Sequence, residues 1–332
     1  MKCPLGIEWG EDVFFYSLGR HALLEGLKLA GIQPGDSVLL PEFICRELLA
    51  SIHLAGARPV FYPVDSRLCP MSFPNAKALK AVLAVNYFGF PQELEPFREL
   101  CRANRATLIE DNAHGFLSRD PLGHLLGSRG DLGILSLRKT FPLLDGGALV
   151  VNGACPGDRL PEPLALRSDP IPITHTIKSL CRSIQSRTGI PLKKAGERVV
   201  RIGRQLRTGN AFPRSSPDCE SSIPGPIAMH QTSFNRLSQQ DMPLEVERRR
   251  QLFLTIQAHL KGFDLEPVFP DLPAGTAPYG YPFRADDSTA AEVAALAWKI
   301  GFDCARWPEL PEAIVSSAPS YYRNVSWVNF LC

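Results

Sequence analysis

The first 150 residues alternate between short apolar runs and segments with helical spacing, and this alternation limits the possible fold more than any other feature. The runs within "DSVLLPEF", "LKAVLAVNYFG" and "ATLIEDNA" are apolar at nearly every position. The segment "GRHALLEGLKLAG", in contrast, repeats apolar residues at helical spacing and closes on a glycine. Apolar strands separated by helices are typical of a parallel sheet buried on both faces. The sequence therefore predicts an α/β fold with a mostly parallel central sheet covered by helices.

Composition excludes several classes of protein. The chain has 332 residues, of which 45% are apolar and 21% charged, so it can bury a large core. A net charge of +2, with basic residues spread along the chain, argues against a nucleic-acid partner. The arginine-rich stretches near 194–207 and 248–250 are interpreted as solvated helix faces.

Location and metal binding are predicted from what the sequence lacks. No apolar run reaches the roughly 18 residues of a membrane span, and the N-terminal segment lacks the apolar core of a signal peptide. The nine cysteines are scattered and show neither CxxC nor histidine-rich spacing, which is typical of reduced thiols. We therefore expect a cytoplasmic protein without a membrane span and without a metal.

The composition changes after the first 150 residues. Residues 152–228 are rich in proline and serine and flank a basic helical stretch, which predicts an insertion with loops or a lid. A long helix from residue 230 then leads into a segment with strand and helix patterns. We expect a large α/β domain over 1–230, carrying the insertion, and a smaller α+β domain over 231–332.

Polar residues follow the apolar runs in a way that predicts a site. They are Glu42–Phe43, Asn86–Tyr87, Asp111–His114 and Arg138–Lys139. Ligands of open α/β sheets bind at the carboxyl ends of the strands, and the ends of parallel strands meet at one edge. The sequence therefore predicts that an acid, a histidine, a lysine and aromatic residues lie together.

The lysine in "LRKTFPLLDGG" is the most informative of these residues. Burial among apolar residues would lower the pKa of Lys139 and make its amine a nucleophile. A Schiff base with an aldehyde cofactor is the main chemistry that needs such an amine. Pyridoxal phosphate would in addition require an acid for its ring nitrogen, an anion site for its phosphate and a surface for its ring.

The acid and the anion site are both available, although each residue has a plainer interpretation. Asp111 ends a buried strand and could face a cation, or could simply cap the following turn. The segment "YSLGRHALLEGL" places Ser17, Gly19 and Arg20 at a helix start, which favours an anion, although glycines also precede helices for packing reasons. Ser136 could donate to the same phosphate or to the backbone.

Six segments in order carry a resemblance to a known family. They are "SLGRHAL", "PGDSVLLPEF", "AGARPVFYPVD", "VNYFGFPQELE", "LIEDNAHG" and "GSRGDLGILSLRKTFPLLDGGALV". Together they resemble the DegT/DnrJ/EryC1/StrS family, fold-type-I pyridoxal-phosphate enzymes best known as sugar aminotransferases. The resemblance is dense over about residues 14–152 and looser over 228–310.

The resemblance implies a role for each matching residue. Lys139 would form the Schiff base with the cofactor and later move the substrate proton. Asp111 would pair with the pyridine nitrogen, and His114 would lie near the phenolic oxygen. The phosphate would be held by the remaining matches, which are Gly19, Arg20 and Ser136.

Several positions depart from the pattern of the family. Ser136 stands three residues before the lysine, where members commonly have five, so the lysine loop is shorter. Counting places Cys45 where an aromatic residue commonly stacks on the ring, and Phe43 is a substitute. Asn86 and Tyr87 stand where many members have a histidine. An "NYR" segment before the long helix is missing, and the sequence ends at "WVNFLC", where members usually continue.

The resemblance implies a function with alternatives. We expect a homodimeric aminotransferase that moves an amino group, from glutamate most plausibly, to a keto sugar linked to a nucleotide, for cell-surface polysaccharide or secondary-metabolite biosynthesis. Tyr279, Tyr281 and Arg284 would lie where the small domain closes over the substrate, unless the tyrosines only pack. The departures also allow a catalytically degenerate or regulatory protein.

Two further enzyme classes are less consistent with the sequence. The dehydratases of the family carry a histidine at the lysine position, whereas this chain retains Lys139. A nicotinamide-dependent oxidoreductase would need G-x-G-x-x-G after the first strand, and "YSLGRHALLEG" does not supply it. If Lys139 does not carry the cofactor, Lys193 or Lys194 would be the alternative.

Overall fold

The computed structural model describes residues 12–153, 160–171 and 215–331. The chain divides into two compact units, one formed by residues 1–167 with 217–332 and the other by 168–216. Most of the second unit, and with it most of the predicted insertion at 152–228, lies outside the described residues. The segment proposed as a separate small domain, 231–332, belongs to the same compact unit as the large sheet.

The centre of the first unit is a seven-stranded sheet in the order β1-β7-β6-β5-β4-β2-β3. Four neighbouring pairs are parallel, namely β2 with β3, β2 with β4, β4 with β5, and β5 with β6. The predicted mostly parallel sheet is confirmed. The strands are β1 (Asp12–Tyr16), β2 (Ser37–Pro41), β3 (Arg58–Tyr62), β4 (Leu79–Val85), β5 (Thr107–Asn112), β6 (Leu132–Leu135) and β7 (Gly147–Val151).

One edge of this sheet is antiparallel, which the sequence did not predict. Strand β7 pairs antiparallel with both β6 and β1, and β1, with the sequence "DVFFY", was not foreseen as a strand. The connection from β6 to β7 contains a single helical turn, whereas a parallel crossover needs roughly a dozen residues or more. The chain therefore returns directly, and this short return carries Lys139.

Helices pack on the sheet as the sequence pattern predicts. They are α1 (Gly19–Leu29), α2 (Leu49–Leu54), preceded by a 3₁₀ turn at Arg46–Leu48, α3 (Glu95–Asn104) and the single turn α4 (Leu137–Thr140). Helix α1 lies close to the sheet because Gly26 has no side chain: a Cβ there would stand 3.2 Å from Leu149 and 3.5 Å from Leu132. This packing fixes where the first turn of α1 meets the strand ends.

The chain from residue 231 forms further helices and a four-stranded antiparallel sheet in the order β10-β11-β9-β8. The expected single long helix is wrong, because two helices occupy that segment. The carboxylate of Asp241 accepts a hydrogen bond from the Leu244 N–H at 2.9 Å, and Pro243 follows it, so a new helix begins there. The elements are α5 (Gln231–Leu237), α6 (Met242–Leu260), β8 (Glu266–Pro267), β9 (Gly280–Arg284), α7 (Asp287–Ile300), β10 (Asp303–Arg306), α8 (Glu312–Val315), α9 (Ser320–Arg323) and β11 (Val325–Asn329).

The described residues contain neither a membrane-spanning helix nor a cluster of metal ligands. No described helix is both long enough and apolar enough to pass through a bilayer. Over the same residues, no three histidine, cysteine or acidic side chains converge in the way a metal ion requires.

Candidate active site

A pocket opens at the carboxyl ends of the central parallel strands. The segments after β2, β4, β5 and β6 all contribute to it, together with the first turn of α1 and one residue of the C-terminal segment. This position is the one that parallel sheets use for ligands. The lining residues are Leu18, Gly19, Arg20, Leu23, Ile44, Cys45, Glu47, Leu48, Val85, Asn86, Asp111, Ala113, His114, Ile134, Ser136, Arg138, Lys139 and Trp307.

The amine of Lys139 lies 3.1 Å from Nε2 of His114. Lys139 stands in α4 directly after β6, and His114 follows β5, so two adjacent parallel strands bring the two groups together. Burial lowers the pKa of the Lys139 ammonium below its ordinary 10.5, because the charged form loses its hydration. Cys45 and Asp111 act in the opposite direction, since negative charge on either would favour the ammonium.

The hydrogen bonds of His114 indicate which group carries the proton. Its Nδ1 accepts from the Phe88 N–H at 3.3 Å, so a neutral ring carries its hydrogen on Nε2. Burial and the neighbouring Lys139 hold the pKa of His114 well below its usual value, which keeps the ring neutral. The Nε2–H can then donate to Lys139 only if the amine is neutral and offers a lone pair. The geometry therefore agrees with the lowered pKa of Lys139.

Asp111 ends β5 and is buried in the same pocket. Its Oδ1 accepts a hydrogen bond from the Ala113 N–H at 3.0 Å, so the simple capping role is present. No described residue donates a hydrogen bond to its Oδ2. Burial raises the pKa of Asp111, while the Ala113 N–H and the charge of Lys139 lower it. The carboxylate thus caps a turn and also acts electrostatically on Lys139.

The first turn of α1 lies directly against the ends of β6 and β7. A Cβ on Gly147 would come within 2.3 Å of the Gly19 nitrogen, and a Cβ on Gly19 would come within 3.2 Å of the Leu135 carbonyl oxygen. Gly19 and Arg20 are the first residues of the helix, where amides have no helical carbonyl to bond. Ser136 lines the pocket beside them, whereas the Ser17 hydroxyl donates to the Pro226 carbonyl instead.

Four predicted residues do not line this pocket. Phe43 is fully buried, with its ring 5.4 Å from that of Trp307, and Tyr87 donates its hydroxyl proton to the Phe43 carbonyl at 2.6 Å. Tyr281 packs on Phe253. These three side chains pack in the core. Arg284 instead forms an ion pair with Glu266 at 3.1 Å on the C-terminal sheet.

Cys45 and Asn86 do line the pocket, in different ways. Cys45 lies in the segment after β2, and burial raises the pKa of its thiol. The Asn86 amide donates to Glu110 at 2.8 Å, and its oxygen accepts from Arg129 at 3.1 Å. Asn86 therefore belongs to a buried polar network beneath the pocket, with its hydrogen-bonding groups already engaged.

Three further residues shape the pocket, and of these only Trp307 lies outside the predicted set. The Tyr279 ring stacks on His114, with centroids 4.4 Å apart and planes at 16°, and Trp307 meets the same imidazole edge-on at 4.9 Å. Arg138 lines the pocket next to Lys139. The sequence position of Arg138, directly before Lys139 at the end of a predicted strand, indicated that the arginine could belong to the site. No local pattern marks Trp307, since it reaches the site only through the fold.

Comparison with known proteins agrees with this geometry. Residues 14–155 match the model of the DegT/DnrJ/EryC1/StrS aminotransferase family. A dTDP-4-dehydro-2,3,6-trideoxy-D-glucose 4-aminotransferase of Saccharopolyspora spinosa is 36% identical over 147 residues, which are 43% of this chain and 38% of that protein. A GDP-perosamine synthase of Escherichia coli O157:H7 is 31% identical over 150 residues, 43% of this chain and 41% of that protein. The matches thus span well under half of these relatives.

Solved structures match over a longer stretch. The aminotransferase TlmJ from Streptoalloteichus hindustanus superposes with a TM-score of 0.60 at 24% identity, covering 98% of this chain and 81% of that one. DesV of S. venezuelae, in complex with a ketimine intermediate, gives a TM-score of 0.60 at 19% identity, with coverage of 97% and 80%. These likenesses confirm the predicted fold class.

The lowered pKa of Lys139 predicts a pH profile. A neutral amine reacts with electrophiles and an ammonium does not, so burial should bring the reactive form in at lower pH. We expect modification of Lys139 in the cofactor-free chain to reach half its maximal rate below pH 10.5. Peptide mapping after timed reaction with an amine reagent at several pH values measures this. Half-maximal reaction at pH 10.5 or above would contradict it.

Proposed function

We propose, from the match of residues 14–155 to the DegT/DnrJ/EryC1/StrS aminotransferase family, that the whole chain is an aminotransferase dependent on pyridoxal phosphate. The observation that carries the proposal is one pocket in which the Lys139 amine lies 3.1 Å from His114 and is influenced by the charge of Asp111. The first turn of α1 and Ser136 line the same pocket.

The residues of the pocket fit this cofactor. It has a buried amine with a lowered pKa, a buried carboxylate, a helix N-terminus against Ser136, and apolar walls from Leu23, Ile44 and Val85. Each matches one chemical part of pyridoxal phosphate: the aldehyde, the ring nitrogen, the phosphate and the faces of the ring. Bound there, the cofactor would supply an electron sink for the carbon from which a proton is removed.

The position of each side chain in the pocket would determine its role. Lys139 would attach the cofactor covalently and, once released, accept and return the proton of the substrate carbon. Asp111 would hold a positive charge on the ring nitrogen, and its bond to the Ala113 N–H fixes the carboxylate in place. His114 would donate a hydrogen bond from its Nε2–H to the phenolic oxygen of the cofactor, because its Nδ1 already accepts one from the Phe88 N–H.

The substrates we propose are an amino acid, most plausibly glutamate, and a keto sugar linked to a nucleotide. Support comes from the relatives, whose names describe sugar aminotransferases acting on dTDP-linked and UDP-linked sugars, and a GDP-perosamine synthase. The homodimer and the cytoplasmic location remain predictions. Lys139, present where the dehydratases of the family have histidine, favours amino transfer over dehydration.

A second candidate is a degenerate protein that keeps the fold and the cofactor without turnover. The short lysine loop and the replacement of the stacking aromatic residue by Cys45, which lines the pocket, favour it. One experiment separates the candidates. The purified chain, reconstituted with pyridoxal phosphate, should be yellow, and glutamate should bleach the yellow band with release of 2-oxoglutarate. A yellow protein that no amino donor bleaches would contradict the aminotransferase and support the degenerate protein.

A further inference from the structure

Arg138 is a cationic residue of the pocket, and no described carboxylate forms an ion pair with it. Three cationic side chains line the pocket, and one of them, Arg20, forms an ion pair with Glu47 at 3.6 Å. Burial lowers the pKa of Lys139 below its ordinary value. The Nε of Arg138 is buried, and within the described ranges no carboxylate, hydroxyl or carbonyl oxygen accepts a hydrogen bond from it. Leaving a buried donor without an acceptor is unfavourable, so this N–H is one that a bound ligand could satisfy.

The backbone joins Arg138 to the first turn of α1. The Arg138 N–H donates to the Gly146 carbonyl at 3.4 Å, and the Gly146 N–H donates to the Ser17 carbonyl at 2.6 Å, two residues before the helix begins. The short return from β6 to β7 thus places α4 beside the N-terminus of α1. Ser136, the residue before α4, lies on the same side and lines the same pocket.

An oxyanion bound in the pocket near the N-terminus of α1 would meet complementary groups from α1 and α4. The free amides of Gly19 and Arg20 favour an anion at the helix end, and a guanidinium pairs with phosphate oxygens through two parallel hydrogen bonds. The Arg20 side chain adds little charge there, because Glu47 neutralises it. Arg138 can therefore supply the positive charge that a doubly charged phosphate needs in a partly buried site.

We propose that Arg138 binds the phosphate group of the cofactor, together with the first turn of α1 and Ser136. This inference rests on the proposed function, since it presupposes that pyridoxal phosphate enters the pocket. It also gives the shortened lysine loop a role. With Ser136 three residues before Lys139, the residue between Leu137 and the lysine is an arginine, and it lines the same pocket as Ser136 and the first turn of α1.

The test compares pyridoxal phosphate with pyridoxal, which lacks only the phosphate. Each is titrated into the cofactor-free full chain and followed by the yellow band. In R138Q we expect the affinity for pyridoxal phosphate to fall about 10- to 100-fold, the loss typical of charge-assisted hydrogen bonds, with the affinity for pyridoxal unchanged. R138K keeps the charge but not the planar guanidinium, so its affinity for pyridoxal phosphate should lie between those of R138Q and the wild type. The matched control is R102Q, an exposed arginine paired with Glu95, which should change neither affinity.

The outcomes separate this inference from the proposed function. A wild-type chain that binds neither compound contradicts the proposed function itself. A yellow wild type with unchanged affinity for pyridoxal phosphate in R138Q overturns only the role of Arg138, as does an equal loss for both compounds. If R138Q binds the cofactor normally but its KM for glutamate rises, the guanidinium serves the carboxylate of the donor and the inference is wrong. If circular dichroism shows that R138Q does not fold, R138K serves as the test variant. An equal loss of affinity for both compounds in R138K would overturn the inference.

Discussion

Replacing Lys139 with alanine should abolish covalent attachment of pyridoxal phosphate and lower amino transfer by at least about 10³-fold. In the proposed function the same nitrogen would serve as nucleophile and as proton carrier, and a positioned acid–base group alone contributes typically 10²- to 10⁴-fold. Truncation also leaves the His114 Nε2 without its neighbour at 3.1 Å. The measurements are the yellow band of the reconstituted variant and the rate of 2-oxoglutarate formation from glutamate.

The matched control for this variant is Lys80→Ala, at an exposed position in β4 away from the pocket. Its yellow band and rate should equal those of the wild type. If the Lys139 variant keeps both a covalently bound cofactor and its rate, the assignment of Lys139 is wrong. The remaining candidates would then be Lys193 and Lys194, which lie outside the described residues.

Replacing Asp111 with asparagine should lower amino transfer by about 10²- to 10³-fold while the chain still binds the cofactor. A buried charge that loses its partner is destabilised by about 3–5 kcal/mol, and each 1.36 kcal/mol on a barrier is tenfold in rate. Asparagine has the same shape, and its carbonyl oxygen can still accept from the Ala113 N–H, so the turn after β5 should persist. Single-turnover bleaching of the yellow band by glutamate measures the effect.

The control for this second variant is Asp131→Asn. Asp131 lies next to β6 at an exposed position, and its carboxylate accepts from the Leu108 N–H at 2.8 Å, a bond that asparagine can also make. We expect no change in rate. An Asp111 variant that transfers amino groups as fast as the wild type would show that the carboxylate only caps the turn.

The strand ends show what the sequence could predict. The apolar residues of β4, β5 and β6 are buried, so a parallel arrangement and the polar residues at the strand ends were predictable, which brought together Asp111, His114 and Lys139. The antiparallel return of β7 was missed because its apolar pattern is that of any buried strand.

Contacts between residues distant in the sequence were beyond local patterns. Trp307 enters the pocket from the C-terminal segment, and no periodicity marks it. Tyr281 and Arg284 were placed near the substrate because the small domain was expected to close over the substrate at this segment. In the structure, however, their strand β9 pairs within the C-terminal sheet, which directs one side chain into the core and the other onto Glu266.

The central assignment concerns which amine carries the aldehyde. Borohydride reduction of the yellow, reconstituted chain would make that link permanent, and proteolysis with mass spectrometry would then locate it. The account predicts that the pyridoxyl mass lies on the peptide containing Lys139. A pyridoxyl group on any other lysine, or a yellow protein that yields no labelled peptide, would contradict it.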